Sequence, residues 1–188
     1  MIRLFYNYYE DKNTVRKREI DFCLQQNLGN PLLNTVIFET ANKPTYDIFF
    51  QKINEVTGPD DINIICNSDI FFDNSIALVS TMPDKAVYAL CRWDWHGPNH
   101  IVFADRPDSQ DTWIIKGRVD NVFGNFCLGV LGCDNRIAYE FEKAKYKVSN
   151  PSKSIKTYHV HNSGIRNYTR KDVVPKPYLT IPPSELPR

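Results

Sequence analysis

The first 66 residues alternate between short apolar segments and longer amphipathic ones, and this order restricts the possible folds most strongly. The short segments are rich in aromatic and β-branched residues, which favour strands, and the longer ones space their apolar residues at helical intervals. They predict strand, helix, strand, helix and strand over residues 2–9, 14–28, 33–38, 46–56 and 62–66. Such an order is typical of a doubly wound α/β fold with a largely parallel sheet.

The second half of the chain is richer in strands. They are predicted over residues 86–93, 101–104, 112–116 and 154–161, with an amphipathic helix over 136–145. With so little helix between them, we expect a mixed, mostly parallel central sheet flanked by helices.

The chain length of 188 residues suits one domain, which we place at residues 1–172. Five prolines fall in the last 14 residues. Residues 173–188 are therefore predicted to form an extended tail, or a linker to a further domain after residue 188.

Charge and composition exclude several classes of function. The 23 Lys and Arg residues nearly balance the 22 Asp and Glu residues, so the net charge of +1 does not favour nucleic acid as a partner. No apolar run approaches the length of a membrane span. The five cysteines form no CxxC pair and the N-terminus lacks the features of a signal peptide, so we expect reduced thiols and a cytoplasmic protein.

A short polar motif, NSD at residues 67–69, follows the third predicted strand. Ligands of open α/β sheets bind outside the carboxyl ends of the strands, so Asp69 lies where a functional carboxylate is expected. A hard cation bound to a diphosphate needs one or two such carboxylates. The same residues can instead form an Asx turn or cap a short helix beginning near Asp73, and the motif taken alone favours the turn.

A second carboxylate, Asp134, lies in the sequence GCDN (residues 132–135), just before the helix predicted over 136–145. Two interpretations stay open for it. As the N-cap, it would accept hydrogen bonds from the first turn of the helix. As a general base facing a cleft, it would remove a proton from an attacking hydroxyl.

Two histidines occur in the last predicted strand, within TYHVHNSGIRNY (residues 157–168). His159 and His161 are two residues apart, so in a strand they share a face and can approach one ligand. Such pairs are commonly structural. Here Ser163, Gly164 and Arg166 follow, and a guanidinium and an imidazole beside a flexible turn suit a metal-bound diphosphate.

Aromatic and charged residues cluster in CRWDWHG (residues 91–97). Arg92, Trp93 and Trp95 can form a platform for a sugar ring, with a carboxylate such as Asp111 binding its hydroxyls. Alternatively, the aromatic side chains pack on the sheet. The sequence contains no GxxxxGK(S/T), GxGxxG, GxSxG or HExxH motif, so P-loop, dinucleotide-binding, α/β-hydrolase and zincin functions lack their signatures.

In their order, these motifs resemble a GT-A glycosyltransferase, most closely a minimal domain of glycosyltransferase family 2. The resemblance runs from the first strand to about Tyr168 and rests on FYNYY, VIFE, NSD in the place of the DxD motif, GCDN before a helix, and a C-terminal histidine. It implies a GT-A (nucleotide-diphospho-sugar transferase) fold. The implied reaction moves a hexosyl or deoxyhexosyl group from a UDP- or GDP-type sugar donor to a hydroxyl of a glycan or glycoprotein acceptor.

The resemblance also implies a role for each candidate residue. Asp69 would bind Mn²⁺ or Mg²⁺ with His161 and His159, and Asp134 would be the base of an inverting reaction. The nucleotide sugar would be bound by Tyr6, Asn7, Tyr8, Glu39, Asn67, Ser68 and Arg166. The acceptor would be bound by Arg92, Trp93 and Asp111.

Two positions depart from the family pattern. Asn67 replaces the first Asp of the DxD motif and removes one charge from the donor site, and Cys133 replaces the Glu that usually precedes the base. Two alternatives therefore stay open. One is a nucleotidyltransferase on a related sheet, although residues 7–13 lack the Gly-rich, basic loop that such an enzyme needs. The other is a carbohydrate-binding or assembly module without catalysis.

Overall fold

The computed structural model describes residues 1–165 and 172–186. Its α-helices are α1 (Thr14–Gly29), α2 (Tyr46–Val56) and α3 (Cys133–Lys143), and a 3₁₀-helix spans Asn74–Thr81. The strands are β1 (Ile2–Asn7), β2 (Asn34–Phe38), β3 (Ile62–Cys66), β4 (Ile70–Phe72), β5 (Ala86–Leu90), β6 (Trp93–Trp95), β7 (Ile101–Phe103), β8 (Thr112–Lys116), β9 (Lys147–Ser149) and β10 (Thr157–His159). The α/β class predicted from the sequence is confirmed.

Six strands form the central sheet in the order β2-β1-β3-β8-β5-β9. β2, β1 and β3 are parallel neighbours, β8 is antiparallel to both β3 and β5, and β9 is parallel to β5. Five of the six strands thus share one direction, so the sheet is mixed and mostly parallel, as expected. The carboxyl ends of β1, β2, β3 and β5 therefore meet the start of β8 at one edge.

Helices cover both faces of the central sheet. On one face α2 and α3 pack around Trp113 of β8, which is fully buried. On the other face the 3₁₀-helix buries Ile76 and Val79 against β1, β3 and β5. None of the helices in the described ranges combines the length and apolar character needed to cross a bilayer.

Four strands form a second sheet, in the order β4-β10-β6-β7, which the sequence pattern did not predict. The strand expected over residues 86–93 is interrupted after Leu90, so β5 stays in the central sheet while β6 joins the second one. At this break the carbonyl of Cys91 accepts a hydrogen bond from Oγ1 of Thr157 at 2.9 Å. Residue His159 of β10 pairs with Ile70 of β4, which brings it next to Asp69.

The proline-rich stretch lies extended along the domain. Val174 and Ile181 are buried in the core that also contains α3, and the main-chain N–H of Ile181 donates to the carbonyl of Pro107 at 2.8 Å. The N–H of Leu179 donates to the carbonyl of Asn135 at 2.9 Å. The described part of this stretch is therefore packed into the domain, and a further domain after residue 188 stays a prediction.

We expect Ile181→Ala to lower the free energy of unfolding by about 2 to 4 kcal/mol, because it leaves a cavity in the core. Val173→Ala is the matched control, since Val173 is 49% exposed and its replacement should change stability little. Thermal and urea denaturation followed by circular dichroism measure both effects. Equal stability of the two variants would show that the stretch does not pack on the domain in solution.

Candidate active site

The candidate site is a cleft of about 1060 Å³ at the edge of the central sheet where β1, β3 and β5 end and β8 begins. Three loops, residues 40–44, 67–69 and 108–111, contribute to its walls, and so does segment 128–135, which ends in the first turn of α3. Arg16 enters from α1, His159 from β10 and His161 from the segment that follows β10. The cleft lies where open α/β sheets bind ligands, outside the carboxyl ends of the strands.

Asp69 follows β3 in a tight turn. The N–H of Ile70 donates to the main-chain carbonyl of Asn67 at 3.2 Å, so residues 67–70 form a main-chain β-turn. The side chain of Asn67 donates to Asp111, and the Asx turn stays a prediction. The cap of the following 3₁₀-helix is Asp73, whose carboxylate accepts from the N–H of Ser75 at 2.8 Å. The side chain of Asp69 therefore does not cap that helix, and it lines the cleft.

The carboxylate of Asp69 is buried, with 4% of the residue exposed, among nitrogen groups. Its Oδ2 lies 2.5 Å from Nη2 of Arg16, 3.1 Å from Nε2 of His159 and 3.5 Å from Nδ1 of His161. Burial alone raises the pKa of a carboxyl, but these neighbours outweigh it and hold the pKa of Asp69 well below its ordinary value. Asp69 is therefore ionised at neutral pH.

His159 is fixed at both ring nitrogens. Nε2 faces Asp69, and Nδ1 lies 2.9 Å from Oδ1 of Asp94. Burial lowers the pKa of an imidazole, yet the two carboxylates outweigh it and raise the pKa of His159 to about 9. The imidazole is therefore protonated at neutral pH, and both of its N–H groups donate to carboxylates.

Asp69 and His161 can each offer one ligand atom, and His159 can offer one only after losing a proton; the three atoms lie within 4.8 Å of one another. Oδ1 of Asp69 and Nε2 of His161 are buried and have no hydrogen-bond partner within residues 1–165 and 172–186. Buried polar atoms normally have partners, so these two fit a bound cation. Arg16 opposes tight binding because its guanidinium lies beside the same carboxylate. Metal binding stays a prediction.

Asp134 lies in the first turn of α3, whose N-cap is Gly132 in the left-handed region with φ 77°. Its Oδ1 accepts from the N–H of Asn135 at 3.0 Å and its Oδ2 from the N–H of Gln110 at 3.2 Å. Burial, and then the carboxylate of Asp111, raise the pKa of Asp134 to about 6. Asp134 is thus a carboxylate at neutral pH that takes up a proton more readily than an ordinary aspartate.

Arg92 connects carboxylates in the floor of the cleft. Its Nε donates to Oδ1 of Asp94 at 2.9 Å and its Nη1 to Oδ2 of Asp111 at 3.0 Å. The amide of Asn67 donates to Oδ1 of Asp111 at 2.8 Å. All four residues line the cleft. An ionised aspartate at position 67 could not donate this hydrogen bond, which gives a local reason for Asn at that position.

Two tryptophans singled out from the sequence do not line the cleft within the described residues. Nε1 of Trp93 donates to the carbonyl of Ser152 at 2.9 Å, and its ring lies 4.7 Å from that of Phe103. Trp95 stacks on Phe22 with the ring centroids 5.0 Å apart. Both tryptophans therefore pack as the second interpretation predicted. No contact of Trp93 with the cleft in the described residues supports its predicted role in acceptor binding.

Some of the residues predicted to bind the nucleotide sugar line the cleft: Asn7, Asn67 and Ser68. Tyr6, Tyr8 and Glu39 are not among the described residues that line it. Tyr6 is fully buried and its hydroxyl donates to the carbonyl of Ser68, so it stabilises the turn after β3. The hydroxyl of Tyr8 donates to Asp21 at 2.8 Å. Arg166 lies outside the described residues.

Arg16 is the main residue that the sequence analysis missed. It is 6% exposed and, besides Asp69, its Nη1 donates to Glu19 at 3.0 Å and to the carbonyl of Val160 at 3.3 Å. A sequence pattern could have identified it. The buried residues of α1 recur at helical spacing, and Arg16 and Glu19 are on the same face as Ile20, Cys23 and Asn27. Charged residues on an otherwise buried face are commonly paired or functional.

Comparisons with protein-family models, with curated proteins and with solved structures found no match for this chain. The function is therefore argued from the site itself.

We expect the imidazole of His159 to titrate near pH 9 in protein treated with EDTA, which NMR of the ring signals measures. Because this folded pKa exceeds the unfolded value, the linked stability is complete below about pH 6.5 and is lost as pH rises through 9. Asp94→Asn removes one anionic partner and should move the pKa of His159 down towards its ordinary value. A His159 pKa at or below its ordinary value in the native protein would contradict the geometry.

Proposed function

We propose that this chain is a GT-A-type glycosyltransferase. It moves a sugar from a nucleoside-diphosphate donor of the UDP or GDP type to a hydroxyl of a glycan or glycoprotein. The observation that carries the proposal is the meeting, in one cleft, of Asp69 beside two histidines with Asp134, whose pKa is raised. The order of the motifs along the chain and the position of the cleft at the strand ends support it.

The pairing of two arginines supports a cation-bound diphosphate. The guanidinium groups of Arg16 and Arg92 are shared among four carboxylates, those of Glu19, Asp69, Asp94 and Asp111. Because both guanidinium groups are already paired, a cation held at Asp69 would favour the binding of a diphosphate, which is itself anionic.

Asp69 and His161 would hold Mn²⁺ or Mg²⁺, with His159 next to them. When bound, such a cation offsets the negative charge that develops on the leaving nucleoside diphosphate. The residues of the chain orient the donor. Asn7 and Ser68 lie at the ends of β1 and β3, where the backbone and side chains can meet its nucleoside and phosphate groups.

Asp134 would act as the general base. It is ionised at neutral pH and can accept the proton of the acceptor hydroxyl. The hydroxyl oxygen then bonds to the anomeric carbon while the bond from that carbon to the diphosphate oxygen breaks. Attack opposite the leaving group inverts the configuration at this carbon. The main-chain N–H groups of Gln110 and Asn135 hold the carboxylate in place.

We expect UDP or GDP to bind more tightly in the presence of Mn²⁺ than with EDTA, because Asp69 and His161 would hold the cation and its charge would attract the diphosphate. Isothermal titration calorimetry measures this, with CMP and AMP as controls that lack a diphosphate. Asp69→Asn should remove the effect of Mn²⁺, because it removes the charge on the carboxylate. If none of the nucleotides binds under either condition, the transferase proposal is wrong, and a carbohydrate-binding module becomes the better interpretation of the cleft.

We expect Asp134→Asn to lower kcat by at least about 100-fold and to leave donor affinity unchanged, because only the proton acceptor is lost. Asp120→Asn, at an exposed position, is the control. In the native protein, activity should fall as pH drops through about 6, and full turnover by Asp134→Asn would refute the assignment.

A further inference from the structure

Two buried amide side chains flank Asp134. Gln110 is 2% exposed and Asn135 is 7% exposed, and both line the cleft. The main-chain N–H of each donates to a different carboxylate oxygen of Asp134. The two side chains are therefore direct neighbours of the proposed base.

Hydrogen bonds determine which end of each amide is free. Nε2 of Gln110 donates to the carbonyl of Pro107 at 3.0 Å. Nδ2 of Asn135 donates to the carbonyl of Asp108 at 2.9 Å and to Oδ1 of Asp134 at 3.3 Å. A main-chain carbonyl only accepts, so in each case the amide nitrogen must face it and the amide oxygen lies on the other side. Neither amide can be flipped without losing its hydrogen bond.

Within the described residues, the two amide oxygens have no partner. Oε1 of Gln110 and Oδ1 of Asn135 are buried, and neither accepts a hydrogen bond there. Four other buried amides use both ends: Asn27, Asn30, Asn63 and Asn150. In Asn27, Nδ2 donates to the carbonyl of Ile70 at 2.8 Å and Oδ1 accepts from the N–H of Phe72 at 3.3 Å. The unpartnered oxygens of Gln110 and Asn135 differ from these.

A buried acceptor left without a donor is unfavourable, so these oxygens suit a ligand that brings O–H or N–H groups. Together with the carboxylate of Asp134 they give this part of the cleft lining three acceptor groups. Phosphate or carboxylate groups would bring only further acceptors to these three groups. A pyranose ring with adjacent hydroxyls offers one donor to each group.

We propose that Gln110 and Asn135 form an acceptor subsite that binds the hydroxyls adjacent to the reacting hydroxyl of a sugar. The proposal rests on the proposed function and deepens it, because it names a glycan residue with neighbouring free hydroxyls as the acceptor class. It assigns acceptor recognition to two residues beside the base, one on the loop before β8 and the other on α3.

The first test uses the native protein and needs no variant. A donor sugar nucleotide identified by its binding is supplied with methyl glycosides of glucose, galactose and mannose, and with their deoxy analogues lacking a hydroxyl next to the reacting one. We expect the deoxy analogues to raise the acceptor KM by roughly tenfold or more while the donor KM is unchanged. Equal KM values for parent and deoxy glycosides would overturn the subsite, as would donor hydrolysis without transfer to any glycoside.

The second test uses Gln110→Met and Asn135→Ala. Each should raise the acceptor KM for the parent glycoside and reduce its advantage over the deoxy analogue, with donor affinity by calorimetry unchanged. Asn54→Leu is the control, because Asn54 is a fully hydrogen-bonded amide on α2, and it should keep the native discrimination. Variants that retain full discrimination would refute the proposal.

The failures of the two proposals are distinguishable. If no nucleoside diphosphate binds, the proposed function fails and the subsite falls with it. If nucleotides bind and sugar is transferred, but deoxy glycosides are used as well as their parents, the proposed function stands and the subsite alone is refuted.

Discussion

The buried ion pair between Arg16 and Asp69 is the contact on which the rest of the site depends. Taking charges out of water is costly unless geometry and further hydrogen bonds satisfy them. Arg16 donates to Asp69, to Glu19 and to the carbonyl of Val160, so one side chain joins α1, the turn after β3 and the segment after β10. The N–H of Val160 in turn donates to the carbonyl of Asp69 at 2.9 Å. These contacts hold the second sheet against the end of the central one and bring His159 and His161 to Asp69.

The central sheet could be predicted because its first three strands are short segments rich in aromatic and β-branched residues, a pattern that is visible in the sequence itself. β3 is buried along its whole length, and the helices between β1, β2 and β3 have clear boundaries. The second sheet could not be predicted, because it depends on a break in the strand expected over residues 86–93. The chain leaves the central sheet after Leu90 and joins the second sheet at Trp93. Periodicity reports which face of a segment is buried and says nothing about the partner strand.

The candidate site was predictable where a residue directly follows a strand or shares a strand face with another. Asp69 directly follows β3. The strand predicted over residues 154–161 is shorter, because β10 ends at His159 and His161 lies beyond it, yet both histidines meet Asp69 in the cleft. Gln110 and Arg16 were not predictable, because their importance comes from contacts across 24 and 53 positions of the chain. Cys133 brings no acidic neighbour to Asp134. Besides burial, the carboxylate of Asp111, distant in sequence, raises the pKa of Asp134.

The two carboxylates of the cleft have opposite electrostatic environments. The nitrogen groups around Asp69 lower its pKa, whereas burial and the nearby carboxylate of Asp111 raise the pKa of Asp134 to about 6. An ionised carboxylate placed near another one in a buried position costs stability at neutral pH, and the main-chain hydrogen bonds from Gln110 and Asn135 offset part of that cost at Asp134. Acid–base sites divide their roles in this way, with one group kept charged and another able to take up a proton. Arg92 pairs with Asp111 and so offsets part of the repulsion between the carboxylates of Asp111 and Asp134. Among the described residues, no guanidinium makes a hydrogen bond to Asp134 itself.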